Sequence, residues 1–272
     1  LCTAFGTAGT GGFGIKSDSM AGYSTYLQVV ITVFMILFGI NFNAYFLLIT
    51  RKFAQAFKME EVRYYLGIIA IAVLIITCNI YHMYGSVSES LQQAAFQVGS
   101  IITTTGYATT DFNLWPEISR TILVMLMFVG ACAGSTGGGI KVSRILILCK
   151  TIRKELHIFL HPNAVKKIKM DGKVIPHEVL RSTNIFIIVY MLIFAGSIFL
   201  IAFDDFDLIT NFTAVTATFN NIGPGLELVG PTGNFGMFSW FSKIVLTFDM
   251  LAGRLEIFPL LLLFVRDTWK KF

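Results

Sequence analysis

Charge is scarce in this sequence. Only 14% of residues are Asp, Glu, Lys or Arg, against about a quarter in a soluble domain, and the shortage excludes a chain that is wet on every face. Cys2, Cys78, Cys132 and Cys149 show no CxxC spacing, and His82, His157, His161 and His177 have no ligand spacing with them or with acids. Neither a disulfide framework nor a resident metal is read from them. Cys78 and Cys132 fall in apolar segments, where a thiol packs as a small hydrophobe. A net charge of +5 would suit nucleic acid only if the basic residues formed a face on a soluble domain. They collect in loops instead, so no nucleic-acid partner is expected.

Apolar residues supply what charge does not: 55% of the chain is hydrophobic and mean hydropathy is +0.71, the composition of an integral membrane protein. A crossing of about 30 Å of hydrocarbon takes roughly 20 helical residues, and the sequence predicts four full crossings and one interrupted one. The first runs from Tyr23 to Leu48 and the second from Tyr64 to Tyr81. A third begins near Ile118, breaks at GACAGSTGGG (residues 130–139) and resumes as IKVSRILILCKTI. The fourth covers Val179 to Phe203, and the fifth runs from Phe238 to Val265 with Arg254 near its middle. Between crossings two and three, and again between four and five, a helical stretch too short to span turns into Gly-rich chain. This is the profile of a re-entrant pore helix and loop, irregular backbone that membrane depth tolerates only where protein or water surrounds it.

Basic residues set the orientation. Arg51, Lys52, Lys58 and Arg63 occupy one short loop, and the stretch from 141 to 181 carries ten more basic residues; both are expected to be cytoplasmic. The re-entrant segments hold Glu89, Asp111 and Glu117, then Asp204, Asp205, Asp207 and Glu227, so they enter from outside through an acidic mouth.

The order crossing, pore helix, Gly turn, crossing occurs from 64 to 150 and again from 179 to 268, and the opening LCTAFGTAGTGGFG reads as the back half of an earlier copy. We expect a further N-terminal segment ahead of it. The turns TAGTGGFG, IITTTGYA and TFNNIGPG are placed in register on Gly11, Gly106 and Gly223. A cation leaving water must exchange its hydration shell for fixed oxygens, and backbone carbonyls provide them. Glycine allows the positive φ that aims such carbonyls, and a pore helix ending there adds its partial negative charge. Thr103, Thr104 and Thr105 either add oxygens or tie the turn to the pore helix, and Tyr107 braces it from behind.

Competing motif readings fail on spacing. Gly134 to Gly139 is followed by Ile140, Lys141 and Val142, with no Ser or Thr after the lysine and no preceding strand, so it is not a phosphate-binding P-loop. GTGGFG (residues 9–14) precedes a membrane crossing and opens no βαβ unit. NFT (residues 211–213) fits a glycosylation sequon but falls in a pore helix. Arg254 lies roughly 24 Å along its helix at 1.5 Å per residue, and an intramembrane Arg faces a partner or a water-filled cavity. It either snorkels or pairs locally with Asp249 or Glu256, or it lies beneath the filter in the conduction path, where carbonyls of the 130–139 loop would hold it.

TTTGYATTDFNLWP, GSTGGGIKVSRILIL, NNIGPG and AGRLEIFPLLLLF together resemble the TrkH/KtrB family of the Trk/Ktr/HKT potassium transporter superfamily. The resemblance spans nearly the whole chain. It implies an all-α polytopic membrane protein of repeated M1-P-M2 potassium-channel-like units around a central pore. Residues 1–63 would be the filter strand and M2 of a second unit, 64–178 a third unit with an interrupted M2 and a basic cytoplasmic loop, and 179–272 a fourth. The implied filter residues are Thr10, Gly11, Thr105, Gly106, Asn221, Ile222 and Gly223, and the implied gate is Gly134, Ser135, Thr136, Gly137, Gly138, Gly139 and Arg254. Potassium uptake would be the function and K+ the transported ion, with no metal beyond it, no cofactor in this chain and no enzymatic activity. The expected partners are the lipid bilayer of a bacterial cytoplasmic (inner) membrane, a second copy in a homodimer, and a cytoplasmic nucleotide-binding RCK-type regulatory subunit, through which alone a nucleotide would act. A membrane-embedded enzyme is the alternative, although the crossings offer Asp249, Arg254 and Glu256 on one helix and no His-Ser or Asp-Asp pair. A sodium-coupled carrier shares the broken helix but not three aligned pore loops.

Overall fold

The computed structural model describes residues 1–16, 18–164, 166–254 and 257–270, the side chain of Asp267 excepted. Its long straight helices follow the longest apolar runs. Numbering helices in chain order, α1 spans Cys2–Ala8, α2 Thr25–Phe38, α3 Phe42–Ile49, α4 Phe53–Lys58 and α5 Glu60–Tyr84. The 25 residues of α5 reach about 37 Å at 1.5 Å each, enough to cross a bilayer. Gly85, at φ 67°, stops α5 in the left-handed conformation that glycine adopts without a Cβ clash. α6 follows at Val87–Ile102, then α7 at Glu117–Val129 and α8 at Val142–Leu160. A two-stranded antiparallel hairpin, β1 (Lys169–Met170) with β2 (Lys173–Val174), pairs Lys169 with Val174. α9 covers His177–Ile201, α10 Leu208–Phe219, α11 Trp240–Arg254 and α12 Ile257–Leu262.

The expectation of four uninterrupted crossings needs correction at the first of them, and the fifth, from Phe238 to Val265, runs through residues 255 and 256, which lie outside the described residues. Among the described residues only α5, and α9 with its 3-10 extension to Asp204, are single helices long and apolar enough to span. The first run, read as one crossing from Tyr23 to Leu48, is bent by 91° between α2 and α3. The cause is tertiary. Cys132 donates its N–H to the Gly39 carbonyl at 3.0 Å, and Phe42 donates to the Gly134 carbonyl at 3.0 Å, so the break in this crossing and the break between α7 and α8 satisfy each other's backbone groups. Asn41 restarts the helix by accepting the Asn43 N–H at 2.9 Å, the cap that a helix start needs. The two irregular segments thus pair part of their backbone with each other, as irregular chain at membrane depth requires.

The two expected pore helices are present and too short to span, α6 and α10 with 16 and 12 residues, and a third short helix, α1 with 7 residues, stands ahead of the first Gly turn. Threonines on α10 return their hydroxyls to its own backbone, Thr213 to Ile209, Thr216 to Phe212 and Thr218 to Ala214 at 2.7–2.8 Å. Buried hydroxyls are thereby paired without a partner helix. Asn211 of the sequon is buried and donates to the Phe206 carbonyl, which fits its reading as a helix residue.

Two large apolar clusters hold the bundle, and a smaller third gathers Met20, Ile31, Met35, Phe96 and Tyr107. One joins α3 and α5 to α8 around Tyr65, Ile76, Ile101 and Leu123; the other joins α9 to α12 around Phe186, Phe194, Phe219 and Leu246. Ile222 and Leu226, which follow α10, pack into the first cluster, and Ile140 packs into the second. Lipid is as apolar as these side chains, so close packing and hydrogen bonds do more here than burial does.

Candidate functional site

Three backbone turns with one conformation follow α1, α6 and α10. Thr10, Thr104 and Asn221 have φ of 49°, 57° and 56°, and the glycine two residues later has φ of 65°, 83° or 105° at Gly12, Gly106 and Gly223. Between them Gly11, Thr105 and Ile222 each donate an N–H to the carbonyl five residues back, to Gly6 at 2.8 Å, Ser100 at 2.9 Å and Ala217 at 2.8 Å. This repeat corrects the sequence register: Gly12, not Gly11, is the counterpart of Gly106 and Gly223, and Gly11 matches Thr105 and Ile222. Two adjacent glycines look alike as letters, and only φ separates them.

The turns lie side by side. A Cβ on Gly12 would land on the Thr105 carbonyl oxygen, and a Cβ on Gly106 on that of Ile222, while a Cβ on Gly223 would meet nothing within 4 Å. The order is thus Gly12, Gly106, Gly223 with the last side open, and a groove of about 800 Å³ separates the first turn from the third, lined by Thr10, Gly11, Asn221, Gly223 and Arg254 among others. Among the described residues no donor reaches the carbonyls of Thr10, Gly11, Thr105, Gly106, Asn221 or Ile222. Peptide oxygens left unpaired at buried residues such as Thr105 and Ile222 are unusual in a folded chain and invite a ligand.

The side chains around the turns are structural braces. The Thr103 hydroxyl donates to the Gly99 carbonyl at 2.6 Å and meets that of Thr105 at 2.8 Å. Tyr107 reaches the neighbouring turn, donating to the Phe13 carbonyl at 3.1 Å. Tyr190 donates to Asn220 at 3.0 Å, and Asn221 donates to the Met250 carbonyl at 3.0 Å.

The loop 130–141 packs beneath all three turns. Gly138 donates its N–H to the Thr104 hydroxyl at 2.6 Å, and a Cβ there would come within 2.8 Å of the Asn220 carbonyl. The Thr10 hydroxyl donates to the Thr136 carbonyl at 2.8 Å, and Arg254 Nη1 donates to the same oxygen at 3.1 Å. Lys141 donates to the Gly137 carbonyl. Gly134, Ser135, Thr136, Gly137, Gly138 and Gly139 also wall a cavity of about 260 Å³ with Lys141, Arg144 and Arg254. Of the two settings foreseen for Arg254, the loop carbonyl is the one observed; Asp249 instead accepts from Ser197 at 2.7 Å, and Glu256 lies outside the described residues.

Glu117, Glu227, Asp111, Asp204 and Asp207, at the other end, make local bonds. Arg120 pairs with Glu117 at 2.8 Å and with Glu227, Asp111 accepts the Asn113 N–H at 3.0 Å, and Asp204 accepts that of Ser239 at 2.8 Å. Asp207 caps α10 through the Thr210 N–H at 3.0 Å. Its carboxyl is held below the ordinary carboxylate range by the Thr210 side chain and then by that N–H.

The TrkH family, described as a cation transport protein, matches residues 1–271. The chain belongs to the TrkH family. It is 36% identical over 273 residues to the Trk system potassium uptake protein TrkH of Salmonella typhimurium, which covers 98% of this chain and 56% of that protein. Trk system potassium uptake protein TrkG of Escherichia coli is 33% identical over 278 residues, covering 99% of this chain and 56% of its own length. The crystal structure of the potassium transporter TrkH from Vibrio parahaemolyticus superposes with a TM-score of 0.87 at 35% identity, covering 98% of this chain and 58% of that one. The chain therefore spans little more than half the length of these TrkH relatives, and it is an all-α polytopic membrane protein.

In this TrkH-family chain the sequence reading passed over Gly12, Gly253 and Glu61. A Cβ on Gly253 would strike the Phe219 carbonyl oxygen, so the glycine lets α11 lie against the end of α10; an isolated glycine inside an apolar helix is its signal. Glu61 is buried with 4% exposure. Its only trace in the sequence is a second carboxylate beside Glu60 at the head of α5.

Proposed function

We propose that this chain forms part of a potassium-selective uptake pathway through a bacterial cytoplasmic membrane, in which the turns at Thr10–Gly12, Thr104–Gly106 and Asn221–Gly223 are filter strands. One observation carries the reading: three turns of the same positive-φ pattern stand side by side, each at the end of a short helix, with backbone oxygens that no donor among the described residues reaches. Such oxygens replace the hydration shell of a cation, and the helix ends α1, α6 and α10 add partial negative charge. The relatives named as potassium uptake proteins support K+ as the ion. The open side at Gly223 would receive a fourth strand from a segment outside this chain, closing the ring.

The loop 134–139 and Arg254 act as the gate in this reading. Thr136 and Gly138 are bonded to two filter turns and to Arg254, so the loop occupies the inner end of the path, and the guanidinium repels cations there. Residues 1–63, 64–178 and 179–272 serve as successive units. The basic face around Lys150, Arg153, Lys154, Lys166, Lys167 and Lys169 suits a cytoplasmic surface, where a nucleotide-binding RCK-type ring would dock on a homodimer.

The test is cation flux into proteoliposomes holding the complete parent protein. Potassium flux above sodium flux, with the gap narrowed by Gly106→Ser, supports the filter. Equal movement of both ions in wild type and variant refutes it, and no movement of either, even after Arg254→Ala, reopens the enzyme reading.

A further inference from the structure

Glu61 is a buried carboxylate that the pathway described above does not use. It sits in the first turn of α5 with 4% exposure. Oε1 accepts the N–H of Ala133 at 2.6 Å and that of Ser143 at 3.2 Å, and Oε2 accepts from the Asn41 side chain at 3.3 Å. Ala133 lies at the start of the loop between α7 and α8, and Ser143 lies just past its end. One oxygen therefore holds both ends of the segment assigned to the gate.

Helix chemistry explains why a carboxylate is needed at this point. α8 begins after Lys141, whose side chain supplies no cap bond, so the first amides of α8 require an acceptor from elsewhere. Glu61 supplies it from another helix, and its charge also suits the partial positive end of α8. The Asn41 side chain that donates to Glu61 simultaneously restarts α3. Both broken crossings thus converge on one side chain. Its neighbour Glu60 does something different: it pairs with Lys150, while its N–H donates to Asp171 at 2.7 Å in the cytoplasmic hairpin.

We propose that Glu61 is the positioning residue of the gate, fixing the ends of the loop 130–141 so that Thr136 and Gly138 stay bonded to the filter turns. This rests on the reading of that loop as a gate. Glu61 touches no filter turn in the bonds it makes, so it sets how readily the loop leaves and not which ion is chosen.

Cys132, buried in the loop with 0% exposure, reports on its position independently of transport. In the complete parent protein in proteoliposomes, every other cysteine is replaced by serine. The labelling rate of Cys132 by a small methanethiosulfonate reagent is then measured beside potassium and sodium flux. Glu61→Ala is expected to raise labelling and potassium flux by about tenfold each, the effect of losing one charged hydrogen bond, with the potassium-to-sodium ratio unchanged. Glu61→Gln, which keeps an acceptor for Ala133, recovers most of the difference, and Glu60→Gln leaves labelling at the wild-type rate. If Glu61→Ala does not fold, Glu61→Asp keeps the charge but draws it back from both amides, and a smaller rise in labelling is expected. Wild-type labelling in a folded Glu61 variant overturns the proposal. Faster labelling without a change in flux leaves Glu61 holding the loop and removes the gate reading instead.

Discussion

Arg254 and Thr136 are joined by a 3.1 Å hydrogen bond from the guanidinium to the carbonyl oxygen, and that oxygen also accepts from the Thr10 hydroxyl. Residues of α11, of the loop between α7 and α8 and of the turn after α1 thus meet at a single peptide group. The guanidinium thereby shares a backbone oxygen with a hydroxyl donor, and the two lone pairs of a carbonyl accept both.

Removing that contact frees the loop and takes a positive charge out of the path. Arg254→Ala should raise potassium flux by about tenfold, since a hydrogen bond to a charged group contributes about 1.5–3 kcal/mol and 1.4 kcal/mol is tenfold. Arg254→Lys keeps the charge without the planar donor geometry and should fall between. Tracer flux in proteoliposomes measures both, and an unchanged or lowered rate in the Ala variant counts against the gate.

Gly253 is where α11 approaches the end of α10. Gly253→Ala places a methyl group on the Phe219 carbonyl, and such overpacking should cost about 1–3 kcal/mol while displacing Arg254. Gly196 on α9 has nothing within 4 Å of its Cβ position, so Gly196→Ala is neutral or stabilising. Thermal unfolding of the purified parent protein compares the two; similar melting temperatures would refute the close approach.

Much of this arrangement was readable from letters alone, and the failures have one origin. α5 and α9 follow unbroken apolar runs, and the interruption at 130–139 follows from its glycines. The contact between Arg254 and that loop is one of the alternatives the sequence leaves open, and the one that the family resemblance favours. The bend at 39–41 was not foreseen, because it is made by bonds to Cys132 and Gly134, more than 90 residues away. Gly11 was chosen over Gly12 because backbone φ is not written in the sequence. Glu61 reads as an ordinary acidic helix start until the fold brings Ala133 and Ser143 to it.

Asp207 links α10, the helix before the third turn, to pH. Its carboxyl is held below the ordinary range in the folded chain by Thr210, whose N–H it accepts at 3.0 Å. The stability it contributes is therefore fully present above the unfolded value, about 3.9, and is lost as pH falls through the lower folded value. Asp207→Asn retains a cap and should remove that part of the acid sensitivity, whereas Asp207→Ala should cost about 0.5–2 kcal/mol near neutral pH. Melting temperature followed from pH 6 down to about pH 3 tests this, and identical acid profiles for wild type and Asp207→Asn would contradict it.

The central claim is that Gly12, Gly106 and Gly223 form one filter, and the most direct measurement is the potassium-to-sodium flux ratio for serine at each of these positions and at Gly11. The geometry predicts a lowered ratio for Gly12→Ser, Gly106→Ser and Gly223→Ser, and a ratio near wild type for Gly11→Ser, whose counterparts are Thr105 and Ile222. A ratio that falls for Gly11→Ser but holds for Gly12→Ser, or holds for all four, would contradict it.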